Sequence, residues 1–162
     1  MTENPNDLDA ARIIAERYLA YAARSQAEIA RRLTKAGYAP AVIETVLQEF
    51  TARGWLDDTQ FARAWIEDRA DRKQYGRRRL AAELRQRGVD AETVSEAIGS
   101  VDEEDEVRRA LAAASKRWVD VESLSHEEAQ AQNRRLAGYL MRRGFSSRVV
   151  TQVLKDLTQN SP

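Results

Sequence analysis

In a chain of 162 residues with one histidine and no cysteine, few side chains could do covalent or acid–base chemistry. His126 stands beside Glu127 and Glu128. A general base needs an orienting partner and a place against substrate. The neighbouring sequence supplies neither, and a solvated histidine at a helix start accounts for it. The adjacent carboxylates Asp57 and Asp58 could hold a cation or share a proton. Yet Asp57 lies three residues before Gln60, the spacing of a capped helix start. The glycines stand singly, so no phosphate-cradling loop is present. Without thiols there is no disulfide, thiolate nucleophile or cysteine metal site, which suits a reducing compartment. No catalytic, cofactor-binding or metal-ligating residue is assigned, and an enzyme is not expected.

What remains is guanidinium chemistry, the bidentate gripping of carboxylates and phosphates. From Arg63 to Gly88 there are nine Lys and Arg against four Asp and Glu, a local charge of +5. From Asp90 to Glu106 there are eight acidic residues and no basic ones, a charge of −8. The formal net charge of the chain is zero, so neutrality conceals a strongly dipolar middle. Such patches select partners by complementary potential. Arg72, Lys73, Arg77, Arg78, Arg79, Arg85 and Arg87 are the candidate partner-binding residues. Zero net charge does not suggest a generic nucleic-acid binder.

Five of these seven residues lie in Gly76–Ile98, which reads as two helices joined by a glycine-closed turn. Leu80, Ala81 and Leu84 share a face of the first helix, and Val94, Ala97 and Ile98 share one of the second. Gly88 stands where the first helix must stop, a position that favours positive φ. Asp90 is a plausible cap, with Val89 and Val94 as a hydrophobic staple around it. The same pattern surrounds Gly37 and Gly144. Relative to each glycine, positions −8, −7, −4, +1, +6, +9 and +10 are apolar in all three copies. The staple pairs recur as Tyr38 with Ile43, Val89 with Val94, and Phe145 with Val150. This is an internal repeat.

The rest of the chain completes three modules. A helix from Leu8 to Ala23, a second opened by a Ser25–Glu28 capping box and a third opened by Pro40 form the first. Gly54 ends the third helix. Asp57 with Gln60 and Leu56 with Phe61 open the next. The acidic block at Asp102–Glu106 suits a helix start, and Val107, Leu111, Ala114 and Trp118 continue that helix. Ser125 with Glu128 caps a helix to about Arg143, and a last helix runs to Leu157. The expected organisation is a flexible tail over 1–7, three-helix modules over 8–56, 57–101 and 102–157, and a flexible tail over 158–162. Composition agrees with a nearly all-helical, soluble chain: 43% hydrophobic, 32% charged, three prolines and seven glycines. There is no apolar run long enough to span a bilayer and no signal-peptide core at the start, so a cytoplasmic location is expected. Helix–turn–helix geometry raises the question of DNA reading. However, the second helices begin Ala41-Val42-Ile43, Ala91-Glu92-Thr93 and Ser146-Ser147-Arg148, a poor set for the major groove.

Three linked motifs carry a family resemblance: Gly54-Trp55-Leu56-Asp57-Asp58 with Phe61-Ala62; Gly76-Arg77-Arg78-Arg79-Leu80 with Leu84 and Arg87-Gly88-Val89; and Leu136 with Leu140-Met141-Arg142-Arg143-Gly144-Phe145. Over about residues 12–157 the chain resembles the RecX regulators of the bacterial recombinase RecA. The resemblance implies an all-α, elongated and curved tandem array of three helix-turn-helix-like modules. It further implies a monomer that lies along RecA–DNA filaments and bridges neighbouring protomers. It would inhibit ATP hydrolysis, strand exchange and stimulated repressor cleavage, by blocking filament growth or promoting disassembly. The arginines of 72–79 would then contact the filament, with phosphates of the enclosed single- or double-stranded DNA in reach. A helical nucleic-acid-binding protein acting independently of RecA is the alternative. No cofactor and no membrane partner are implied.

Overall fold

A computed structural model describes residues 1–159. Among them the chain forms nine α-helices and one short 3-10 turn: α1 (Leu8–Tyr21), α2 (Gln26–Ala36), α3 (Pro40–Ala52), α4 (Asp58–Lys73), α5 (Arg77–Gln86), α6 (Ala91–Gly99), α7 (Glu103–Ser115), the turn Val121–Ser123, α8 (His126–Arg142) and α9 (Ser147–Gln159). The contacts gather into two compact units. Unit 1 is residues 1–64 with 84–94, and unit 2 is 65–83 with residues from 95 onward. The residues of the expected second module are thus divided between the two units.

The repeat is visible in the packing. Positions −8, −4, +1, +6 and +9 around Gly37, Gly88 and Gly144 are all buried, fifteen side chains from Ile29 to Val153. Position +10 (Leu47, Ile98, Leu154) is half-buried in each copy. All three glycines have positive φ, +94°, +80° and +90°. Each turn closes with the same long bond, from the amide of Tyr38, Val89 or Phe145 to the carbonyl of Leu33, Leu84 or Leu140. Glycine adopts this left-handed conformation without a Cβ penalty, and the next apolar residue folds back onto the helix it has just left.

Unit 1 is centred on Ala11, Ala15, Ile29, Leu33, Val46 and Phe50. Arg12 ties α1 to α3 with two bonds to the Glu49 carboxylate, at 2.8 and 2.7 Å. That donor pair holds Glu49 below the usual carboxylate range. Trp55 meets Phe50 edge-on at 5.1 Å between ring centroids, under the Arg53 guanidinium. Residues 1–7, expected as a flexible tail, make backbone bonds to the α2–α3 turn. Thr2 N–H donates to Ala36 C=O and Ala39 N–H to Pro5 C=O, and Met1 lies over Gly37. Asp7 caps α1. The α2–α3 turn leaves backbone groups that this segment satisfies, a pairing that no local spacing encodes.

Unit 2 is centred on Ala110, Ala113, Ala114, Leu136, Leu140, Phe145, Val149 and Val153, where α7, α8 and α9 meet. Asp102 caps α7 as its position suggests. The helix stops at Ser115, short of Trp118, because the chain turns away there and Gln132 pins both backbone groups of Val119, at 2.8 and 2.9 Å. Trp118 packs on the core from outside the helix. Ser125 and Glu128 form the expected capping box. The helix α9 continues through Thr158 and Gln159, the first residues of the expected C-terminal tail; its remaining residues, 160–162, lie outside the described residues.

Candidate partner-binding surface

The basic stretch begins in unit 2 on the last turn of α4. Arg72 is exposed and pairs with Asp68 one turn back, at 2.6 Å. An exposed pair at this spacing is worth little and is easily exchanged for another partner. The Lys73 side chain is exposed, while its carbonyl accepts from the Arg143 guanidinium. Gln74 then adopts φ +52°, which ends α4.

At Gly76 the backbone meets the α8–α9 turn. Gly76 N–H donates to Arg143 C=O at 2.9 Å and Arg78 N–H to Gly144 C=O at 3.1 Å. A Cβ on Gly76 would lie 2.4 Å from the Gly144 carbonyl, so this glycine is required for close approach rather than for positive φ. The third amide at the α5 start, Arg77 N–H, donates to Glu106 Oε1 at 3.0 Å. Glu106 is 3% exposed, and its other oxygen lies 3.4 Å from Arg77 Nε. The Arg77 guanidinium also donates to Val101 C=O. Arg77 is therefore occupied in holding α5 to α7 and is only half exposed.

Its neighbours are freer. Arg78 is exposed, and none of the described residues pairs with its side chain. Arg79 lies over the Tyr75 ring at 4.0 Å, with Glu83 at 3.6 Å. Tyr75 is a hub that sequence reasoning passed over, with the Arg69 and Arg143 guanidinium groups also over its ring, at 5.9 and 5.1 Å. Glu83 accepts from Trp65 Nε1 at 3.1 Å and from Arg69 at 2.7 and 3.1 Å. These bonds hold the Arg69 guanidinium above its ordinary pKa. The four-residue spacings Trp65–Arg69 and Arg79–Glu83 are the local sequence signals for this cluster.

The other two candidates belong to unit 1. Arg85 is exposed. Arg87 reaches Glu28 at 2.7 Å, and its carbonyl accepts from Ser25 Oγ and from Arg31. Nearby, Asp58 Oδ1 accepts from Gln26 N–H at 2.9 Å, and burial raises the Asp58 carboxyl above its usual range. Asp57 caps α4 through Gln60 N–H. Thus the paired carboxylates have separate structural uses. His126 is exposed on the first turn of α8 with the Gln130 amide 2.9 Å from its Nε2. No group of three or more His, Asp or Glu among the described residues is placed to hold a metal.

Family models describe the three segments in order. Residues 11–50 match the first three-helix domain of RecX, 57–98 the second and 103–154 the third. The regulatory protein RecX of Mycobacterium avium is 33% identical over 156 residues, covering 94% of this chain and 87% of that protein. The chain belongs to the RecX family. Its members also include the regulatory protein RecX of Thermobifida fusca, 38% identical over 94% of this chain and 81% of that one. The crystal structure of RecX from Lactobacillus salivarius has a TM-score of 0.86 at 16% identity, covering 94% of this chain and 97% of that one. At that identity the likeness concerns the fold.

Within the RecX frame, the acidic stretch is largely engaged. Asp90 caps α6 through Thr93 N–H at 2.9 Å, which depresses its pKa. Asp105 meets Arg108 at 2.7 Å and Glu103 meets Arg148 at 3.2 Å. With Glu106 buried, much of the −8 charge has partners inside its own unit. Arg109 is 7% exposed, its Nε and Nη2 have no hydrogen-bond partner among the described residues, and burial lowers its pKa. No helix among the described residues is long and apolar enough to cross a membrane.

Proposed function

We propose that this chain regulates the recombinase RecA by binding RecA–DNA filaments. It acts as a cytoplasmic monomer that occupies the filament groove. There it blocks growth or promotes disassembly, restraining ATP hydrolysis, strand exchange and RecA-stimulated repressor cleavage. The observation that carries this reading is the match of all three modules, in order, to a family of regulatory proteins. The surface that fits it is the cationic end of α4 and start of α5. Arg72, Lys73, Arg78 and Arg79 are exposed there while Arg77 anchors the backbone beneath them. Guanidinium and ammonium groups of this kind suit a carboxylate-bearing protein surface or phosphates within a filament. Arg85 and Arg87 of unit 1 are further candidates, Arg87 with part of its capacity committed to Glu28.

The test reverses four charges together, Arg72→Glu, Lys73→Glu, Arg78→Glu and Arg79→Glu, leaving Arg77 in place. Inhibition of RecA ATPase on single-stranded DNA is expected to need about tenfold more protein, since one decade corresponds to about 1.4 kcal/mol. Unchanged inhibition by a variant of unchanged helicity would rule the patch out. Titration of the unmodified protein into naked DNA separates the alternative. Inhibition well below the concentration that binds DNA supports a filament regulator, and DNA binding without inhibition supports a nucleic-acid binder acting without RecA.

A further inference from the structure

A second cationic site adjoins the α4–α5 patch, in the third module, with Arg143 over the Tyr75 ring of the patch at 5.1 Å and over Tyr139 at 5.3 Å. The segment that follows α7, at Arg117 and Val119, and one face of α8 line an open cleft of about 500 Å³ within unit 2. Four of its lining residues are arginines, Arg117, Arg134, Arg135 and Arg142, and none is a carboxylate. None of the four forms an ion pair with a described residue, and the Arg117 guanidinium lies over the Tyr139 ring at 4.1 Å. Elsewhere in the unit, Arg69, Arg72, Arg77, Arg79, Arg108 and Arg148 all face acids. Like charges gathered round one hollow repel, and an anion held between them relieves that repulsion.

Gly138 helps to shape the cleft. It sits inside α8, where glycine weakens a helix relative to alanine. A Cβ there would lie 3.2 Å from Arg142 Nη1. The bare backbone lets that guanidinium lie back along the helix. Arg134 and Arg142 are eight positions apart on α8, about 12 Å along its axis at 1.5 Å per residue. That length suits several phosphates of a strand, about 3.4 Å apart along a duplex axis, better than one isolated phosphate.

We propose that this cleft binds the phosphodiester backbone of a nucleic-acid strand. The arginines take non-bridging oxygens in pairs, and the Arg117–Tyr139 stack gives one unpaired base a flat platform. Binding is indifferent to sequence, because phosphates carry none of it. The assignment does not rest on the RecA reading.

The test measures anisotropy of a labelled single-stranded oligonucleotide, and of a duplex of equal length, with the full chain across a salt series. Replacing Arg117, Arg134, Arg135 and Arg142 by alanine is expected to weaken single-strand binding by about tenfold or more. The log–log salt slope should fall by about three, at roughly 0.7 per phosphate contact. Unchanged affinity and slope would overturn the proposal. So would loss of RecA ATPase inhibition with DNA affinity intact, which would make the cleft a reader of acidic protein. Tight binding of inorganic pyrophosphate without strand binding would also overturn it, as a site for free phosphate. Tighter binding of duplex than of single strand would overturn the stacking platform. If the alanine variant loses helicity, the corresponding four-lysine variant decides. Weaker binding with the slope retained supports bidentate phosphate contacts, and a lost slope overturns them.

Discussion

Gly88 in unit 1 and Gly144 in unit 2 hold the same place in the repeat, and each presses against the first turn of another helix. Their surroundings differ. A Cβ on Gly88 would meet one side-chain atom, Ala27 Cβ at 2.3 Å, with nothing else nearer than 3.7 Å. A Cβ on Gly144 would meet Arg79 Cβ at 2.4 Å and the backbone as well, Arg79 N at 2.4 Å and Arg79 Cα at 2.9 Å. The helix starts they touch also differ. The α2 start caps itself through Ser25 and Glu28, and Ser25 Oγ then donates to Arg87 C=O. The α5 start follows Tyr75 and Gly76, neither with a capping oxygen in reach. Its amides go to Arg143 C=O, Gly144 C=O and the buried Glu106 carboxylate. A locally capped helix tolerates change at the contact, whereas one capped by its neighbours cannot lose the contact without leaving donors unpaired.

The largest effect should come from Gly144→Ala, which adds left-handed strain to an overlap with unyielding backbone and is expected to cost about 4 kcal/mol. Arg79→Gly should rescue little of it, since it removes the Arg79 Cβ but leaves the backbone N at 2.4 Å and Cα at 2.9 Å. Equilibrium urea unfolding of the single and double variants checks this. Next comes Glu106→Ala, which leaves Arg77 N–H and a half-buried guanidinium without their carboxylate, at about 3 kcal/mol. Hydrogen exchange of the Arg77 and Arg78 amides should accelerate with it.

In unit 1, Gly88→Ala is expected to cost about 2 kcal/mol, of which Ala27→Gly in the double variant recovers about half, because only a methyl obstructs. Equal rescue in both units would erase the distinction between them. Ser25→Ala should cost about 1.5 kcal/mol, read from the shift in urea midpoint, as a lost cap and a lost bond to Arg87 C=O.

The smallest effect is the pH dependence at Asp58. Burial raises its folded pKa, so its ionised form destabilises unit 1 at neutral pH and protonation relieves this as pH falls through the raised value. Asp58→Asn should therefore be slightly more stable than the parent at neutral pH, with the gap closing in acid. Glu49, Asp90 and Glu128 act oppositely. Their folded pKa values are depressed, so they stabilise above the ordinary carboxylate range and that contribution is lost as pH falls through the folded values. Stability curves of parent and Asp58→Asn across mildly acidic pH separate the two signs.

The amino-acid sequence by itself determined the modules: the apolar positions around Gly37, Gly88 and Gly144, the positive φ of those glycines, and the caps at Ser25, Asp57, Asp90, Asp102 and Ser125. Each is set by contacts within about one helical turn, where spacing in the chain is spacing in space. Only the tertiary structure decided what the charges do. Arg77 and Arg87 look like Arg78 and Arg85 along the chain, yet their partners Glu106 and Glu28 lie 29 and 59 residues away in sequence. Nothing local distinguishes Gly76, required by Gly144, or brings Arg117 beside Arg134, Arg135 and Arg142. The reason is the reach of the forces involved. Helix caps and staples are satisfied by near neighbours, whereas a guanidinium on a long stem pairs with whatever carboxylate the packed apolar faces carry within its reach.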